Sequence, residues 1–283
     1  MGTFTKHNPG RTGAWEAAGL EWLAAARDGS GPDARDGGGP GTAQGGSGPG
    51  ATQGVRVVGV VERTPDTVVL ERVQETRPTP EAAEAFGREL AATHAAGAPC
   101  FGAGPVNAAG EPWEGSGYQG PNEHLLPLPL GQWESWGEFY ANLLEPLIEP
   151  AWGGLSNEDQ QAVSTLLELL RDGDFDALGT QAPARCHGDL WAGNVLWSPE
   201  GAVLIDPAAH GGHPETDLAA LQLFGIAHQE LILGAYQEAA GWDSSWRQRV
   251  PLHQLHLLFL HVAVFGGSYV RQAMTAVHRS LAL

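Results

Sequence analysis

Residues 186–221, CHGDLWAGNVLWSPEGAVLIDPAAHGGHPETDLAAL, limit the possible folds more than any other part of the chain. Two short apolar runs, 195–197 and 202–205, read as strands. Paired as a hairpin, they bring Asn194, just before the first run, and Asp206, just after the second, to one open end. Carboxylate and amide oxygens at that place suit one or two Mg²⁺ ions, which prefer hard oxygen ligands. Asp189 lies in a loop opened by His187-Gly188 and keeps no obvious metal role. It is placed to accept the proton of an attacking hydroxyl.

The rest of the chain reads as alternating helix and strand. Helical spacing predicts helices over 14–27, 81–96, 136–148, 157–170 and 252–265, with a further helical run after Pro214. Runs 55–61 and 67–73, joined through Thr64-Pro65-Asp66, predict an antiparallel hairpin. From Gly97 to about Gly131 there is no regular period. Glycine and proline, 40 and 20 of 283 residues, exceed what a globular chain uses. Much of the excess sits in 28–54, which carries no aromatic and no aliphatic larger than alanine or proline. Such a run cannot bury enough surface to offset its ordering entropy, so a disordered loop is expected there. It contains no GxxxxGK[ST] and follows no strand, so its glycines are not a phosphate cradle.

A formal charge of -18 excludes nucleic acid as a partner, because there is no excess of cations to displace phosphate counterions. Two cysteines, Cys100 and Cys186, make neither a disulfide framework nor a CxxC pair. The start has no apolar core for a signal peptide, and no apolar stretch approaches the roughly 18 residues a membrane span needs. No membrane partner and a cytoplasmic location are the expectations; the oligomeric state is left open.

An aspartate, an asparagine five residues on and an aspartate after the next strand also match the catalytic-loop logic of kinases, with HGD where protein kinases carry HRD. The run from His187 to Asn194, followed by Ile205-Asp206-Pro207-Ala208, Gly212-His213-Pro214-Glu215 and Asp217-Leu218-Ala219, resembles the fructosamine/ketosamine 3-kinase family. Phe86-Gly87-Arg88-Glu89-Leu90-Ala91 through His94, Trp136-Gly137-Glu138-Phe139-Tyr140 and, more loosely, 261–269 extend the likeness over most of the chain. The resemblance implies an α+β, bilobal protein-kinase-like fold, shared with aminoglycoside and choline phosphotransferases. Residues 1–73 would be a partial, apparently truncated N-lobe with the loop 28–54, and residues 74–283 a mainly helical C-lobe.

The same resemblance implies roles. Lys6, the one lysine of the chain, would contact the α- and β-phosphates of ATP and pair with Glu16. Backbone groups of Glu71, Arg72 and Val73 would bind adenine at the hinge. Asp189 would be the base, and Asn194 and Asp206 would hold Mg²⁺. His187 would be structural, and Asp217 an anchor for the catalytic loop rather than a plain helix charge. Trp191 reads equally as core or as an aromatic face for substrate, and His94 as a core histidine. Only five residues precede Lys6, too few for the two strands and phosphate-covering loop of such kinases. The expectation is that the chain begins inside a longer natural protein. The implied activity is ATP-dependent phosphorylation of a sugar hydroxyl on small-molecule or protein-bound ketosamines, a deglycation step. The alternatives are an aminoglycoside- or choline-type phosphotransferase, or a catalytically impaired kinase-like binding module.

Overall fold

In the computed structural model, residues 2–27, 52–107, 109–178 and 182–283 are described. The loop expected over 28–54 falls outside them as far as position 51. Strand β1 (Thr3–His7) runs antiparallel to β4 (Thr67–Glu71), with Lys6 opposite Val68, and β3 (Val60–Arg63) pairs with the other edge of β4. Helix α1 (Gly10–Ala25) packs Leu20, Trp22 and Leu23 beneath this sheet.

The run 55–61 is not one hairpin strand. Its second half becomes β3, whereas β2 (Arg56–Val57) pairs in parallel with β9 (Gly201–Leu204), Arg56 opposite Val203. Val55, Val57 and Val58 are all buried, and Val58 N–H donates to Leu204 O at 3.0 Å. Adjacent buried valines cannot share a one-sided strand, because neighbouring side chains point to opposite faces. The chain therefore crosses from one sheet to the other at this point.

Helix α2 (Pro80–Ala95) opens on a Thr79 cap whose hydroxyl accepts from Ala82 N–H at 3.2 Å. It lies against α6 (Gln229–Ala240) so closely that a Cβ on Gly87 would stand 2.2 Å from Ile232 O. Helices α3 (Trp136–Ile148), α4 (Asn157–Asp172), α7 (Val250–Phe265) and α8 (Val270–Ser280) enclose a second core around Phe139, Leu144, Leu166 and Phe259. Within the stretch read as irregular, β5 (Gly117–Gln119) and β6 (Leu126–Leu128) form a small antiparallel hairpin. Three residues per strand are too few to display a period. Among the described residues no helix is long and apolar enough to cross a membrane.

Helix α5 (Pro214–Leu223) carries a buried ion pair at its first turn. Arg249 grips the Glu215 carboxylate through two nitrogens, Nε at 2.9 Å, and His253 Nε2 lies 3.2 Å from it. Burial alone would raise the Glu215 carboxyl; the hydrogen bonds of His253 and Arg249 and the electrostatic influence of His253 and His213 outweigh it and hold the carboxyl at about 2. A depressed carboxylate stabilises the fold above its unfolded value near 4.5 and loses that contribution as pH falls toward 2. Between about pH 6 and about pH 3 the unaltered chain is expected to lose about 2 kcal/mol that Glu215→Gln does not lose. Urea unfolding at the two pH values measures this, and equal losses in both chains would contradict it.

Candidate active site

The loop after β7 (Ala184–Cys186) is clamped from behind. Asp217, buried in the first turn of α5, accepts the N–H of His187 at 2.7 Å and of Gly188 at 3.0 Å. Its Oδ2 also lies 3.1 Å from His94 Nε2, and His94 Nδ1 bonds the Tyr236 hydroxyl at 2.8 Å. Burial would raise the Asp217 carboxyl, yet the partners His94 and His187 hold it below the usual range. His187 Nδ1 accepts from Asp189 N–H at 3.3 Å, so its Nε2–H donates to Ile205 O at 2.9 Å. Burial lowers the pKa of this ring and keeps it neutral, a staple between the loop and the end of β9. Gly188 has φ +81°, and a Cβ there would stand 2.1 Å from Ala208 O, so a side chain is excluded on both counts.

In front of the clamp, Lys6, Glu16, Asp189, Trp191, Asn194 and Asp206 line one cleft of about 370 Å³. Asn194 Nδ2 donates to Asp189 O at 2.8 Å and to Asp189 Oδ2 at 3.0 Å, which leaves Asn194 Oδ1 as an acceptor. The strand β8 (Val195–Ser198) pairs Val195 with Leu204 of β9, and Ile205 N–H returns to Asn194 O at 3.1 Å. That register puts Asp206 beside Asn194. Asp206 is held at φ +51°, an unusual conformation for a residue with a side chain, and the side chain is 43% exposed.

Lys6 reaches this group from β1. Its Nζ is 2.9 Å from Asp206 Oδ1 and 3.2 Å from Glu16 Oε1, and Glu16 accepts a second bond from Asn8 Nδ2 at 2.5 Å. Burial would lower the Lys6 pKa, but the charges of Glu16 and Asp206 raise it, so the ammonium stays charged. Burial pushes the Asp189 carboxyl up to about 7 against the Asn194 bond, with the charges of Asp206 and Asp217 adding to the rise. Asn194 Oδ1 and the Asp206 carboxylate, open to one cleft, offer the hard oxygen atoms that Mg²⁺ prefers.

Not every expected residue joins the cleft. Glu71, Arg72 and Val73 do not line it, and the Glu71 N–H donates to Gly59 O while the Arg72 N–H donates to Gly2 O, each at 2.9 Å. β4 is the middle strand of its sheet, so the chain's own backbone uses donors that a hinge would leave for adenine. The Glu71 carboxylate holds Arg56 at 2.8 Å. Trp191 is at the cleft and not in the core, 39% exposed, its ring lying over Gly193. His94 is buried as expected, yet it partners the anchor Asp217, a link across 123 residues that no sequence spacing announces. Asn8, which holds Glu16, was also not legible in the sequence, and the β5–β6 hairpin forms a wall of the cleft through Tyr118, Gln119 and Leu125. Gln119 of that wall bonds His256 Nε2 at 2.7 Å and Pro127 O at 3.0 Å.

The fructosamine kinase family model matches residues 14–283. A probable ketoamine kinase of Enterococcus faecium is 43% identical over 91 residues, 32% of this chain and 32% of that one. A probable ketoamine kinase of Thermus thermophilus is 31% identical over 206 residues, 72% of this chain and 69% of that one. A crystal structure of a candidate fructosamine-3-kinase from Thermobifida fusca superposes with a TM-score of 0.77 at 38% identity, over 99% of this chain and 86% of that one. The fold is thus the α+β protein-kinase-like one. With the family model spanning nearly the whole described cleft, the chain belongs to the fructosamine kinase family.

Proposed function

We propose that this protein is an ATP-dependent kinase that phosphorylates the third-carbon hydroxyl of the sugar in ketosamines, a step toward deglycation. The observation that carries the reading is the meeting of Asp189, Asn194, Asp206 and Lys6 around one cleft, with Asn194 bonded to Asp189. Asp189 receives the proton of the attacking hydroxyl; a carboxyl near 7 holds that proton far better than an ordinary one. Lys6 carries the positive charge that meets the nucleotide phosphates, and Glu16 and Asn8 aim it. Asn194 and Asp206 would hold Mg²⁺, which when bound neutralises phosphate charge and orients the transferred group. Val73 is the hinge residue of the three whose N–H is not engaged by Gly59 or Gly2 and would bind adenine. Trp191 offers the acceptor an aromatic face.

The test is ADP release from Mg²⁺-ATP across fructosamine, ribulosamine, aminoglycoside and choline acceptors. The expected result is turnover with the ketosamines at least about tenfold above the others, the discrimination a site built for a particular hydroxyl achieves. Turnover of an aminoglycoside alone would reassign the acceptor. Absence of nucleotide binding in a calorimetric titration at millimolar Mg²⁺-ATP would leave a kinase-like binding module.

A further inference from the structure

Beside Asp189 the cleft is bordered by a file of rings of which the reaction described above uses only Trp191. Trp191 meets Phe224 edge to face at 6.1 Å between centroids, and Phe224 meets His261 at 5.0 Å. His261 in turn meets Phe265 at 5.4 Å and Tyr269 at 5.0 Å. Phe224 and Phe265 are 43% and 58% exposed, although large aromatic side chains usually bury most of their surface. Trp191, His261 and Phe265 line the same cleft as Asp189, so the file leads outward from the reacting end.

The polar groups along this file share one sign. A carbonyl only accepts, so the His261 bond to Leu257 O at 2.7 Å places the proton on Nδ1 and leaves Nε2 as the acceptor. Nε2 has no hydrogen-bond partner among the described residues. Burial lowers the His261 pKa, which keeps that lone pair available at neutral pH. Glu123, exposed on the loop between β5 and β6, lines the same cleft. Aromatic faces, a ring acceptor and a carboxylate together suit a substituted ammonium with an apolar stem and repel an anion.

We propose that Phe224, His261 and Phe265 form the subsite for the amine-bearing part of the acceptor, and that they select ketosamines whose ammonium carries an apolar stem over those whose ammonium carries a carboxylate. This rests on the ketosamine kinase reading. In that reading the sugar end lies at Asp189, and His261 accepts the ammonium N–H while the stem runs over Phe224 toward Phe265.

Two acceptors with the same sugar, one built on hexylamine and one on glycine, test it by ADP release. The unaltered chain is expected to favour the hexylamine adduct by roughly tenfold or more in kcat/KM, the size of an apolar-contact discrimination. Phe265→Ala, a change at an exposed position, should erase most of that preference through a rise in KM for the hexylamine adduct. His261→Leu should raise KM for both adducts about tenfold, as loss of a hydrogen bond to a charged group does. His261→Gln, whose side-chain oxygen can accept, should recover most of it. Far-ultraviolet circular dichroism establishes that each variant is folded. An unchanged acceptor ratio in Phe265→Ala, or an unchanged KM in His261→Leu, overturns the subsite while leaving ketosamine kinase activity standing. If the unaltered chain turns over no ketosamine, the parent reading fails and the subsite falls with it.

Discussion

Asp189→Asn is expected to lower turnover by about 10²–10⁴-fold, the share that a positioned proton acceptor contributes, while Mg²⁺-ATP affinity changes little. The asparagine fits the same space. Its side-chain oxygen can still accept from Asn194 Nδ2, and the second bond of that nitrogen, to the backbone oxygen of residue 189, is untouched. Only the capacity to take a proton is lost. The measurements are coupled ADP release at saturating acceptor and a calorimetric titration with Mg²⁺-ATP. Full activity in the variant would remove Asp189 from the base role. A parallel collapse of nucleotide affinity would show instead that the carboxylate acts on the nucleotide.

Asp217→Ala is expected to be the most damaging change to the fold. The carboxylate accepts two buried backbone N–H groups and faces a buried histidine, so its removal leaves three polar groups without that acceptor. Breaking a buried charged network at one member costs about 3–5 kcal/mol, a large part of the stability of a single domain. Urea unfolding followed by circular dichroism reads the loss directly. Asp217→Asn, which keeps one accepting oxygen, should lose about half as much, and its surviving folded fraction should turn over slowly because the clamp sets the position of Asp189. A loss below about 1 kcal/mol in Asp217→Ala would mean that neighbouring groups replace the carboxylate, contrary to the clamp described above.

The anchor role of Asp217 follows only from the family resemblance, whereas the role of Asp189 also follows from local spacing. Asp189, Asn194 and Asp206 could be read in advance because their relation is local: one hairpin, closed in register from Val195 opposite Leu204, carries two of them, and the third stands five residues away. Helix ends fixed within one turn, such as those of 136–148 and the start at 157, were legible for the same reason, whereas α1 begins at Gly10 and not at 14, and α8 was not expected. The break in the valine run at 57–58 was not, because its cause is the β9 edge, far along the chain. The engagement of the Glu71 and Arg72 donors was hidden for the same reason: nothing within 67–73 states that this strand lies in the middle of its sheet with both edges occupied.

By itself the sequence determined the acidic and amide oxygens presented at the end of the β8–β9 hairpin and the place of most helices around it. Hydrogen-bond register and helical period are short-range consequences of neighbouring side chains, and they survive wherever the segment is placed. Tertiary structure alone decided that Lys6 would meet Asp206 across 200 residues, that His94 would back Asp217, and that Trp191, Phe224 and His261 would stand in one file. Those meetings depend on how whole elements pack. Packing is set by the summed burial of two cores, and no local stretch of the chain contains that sum.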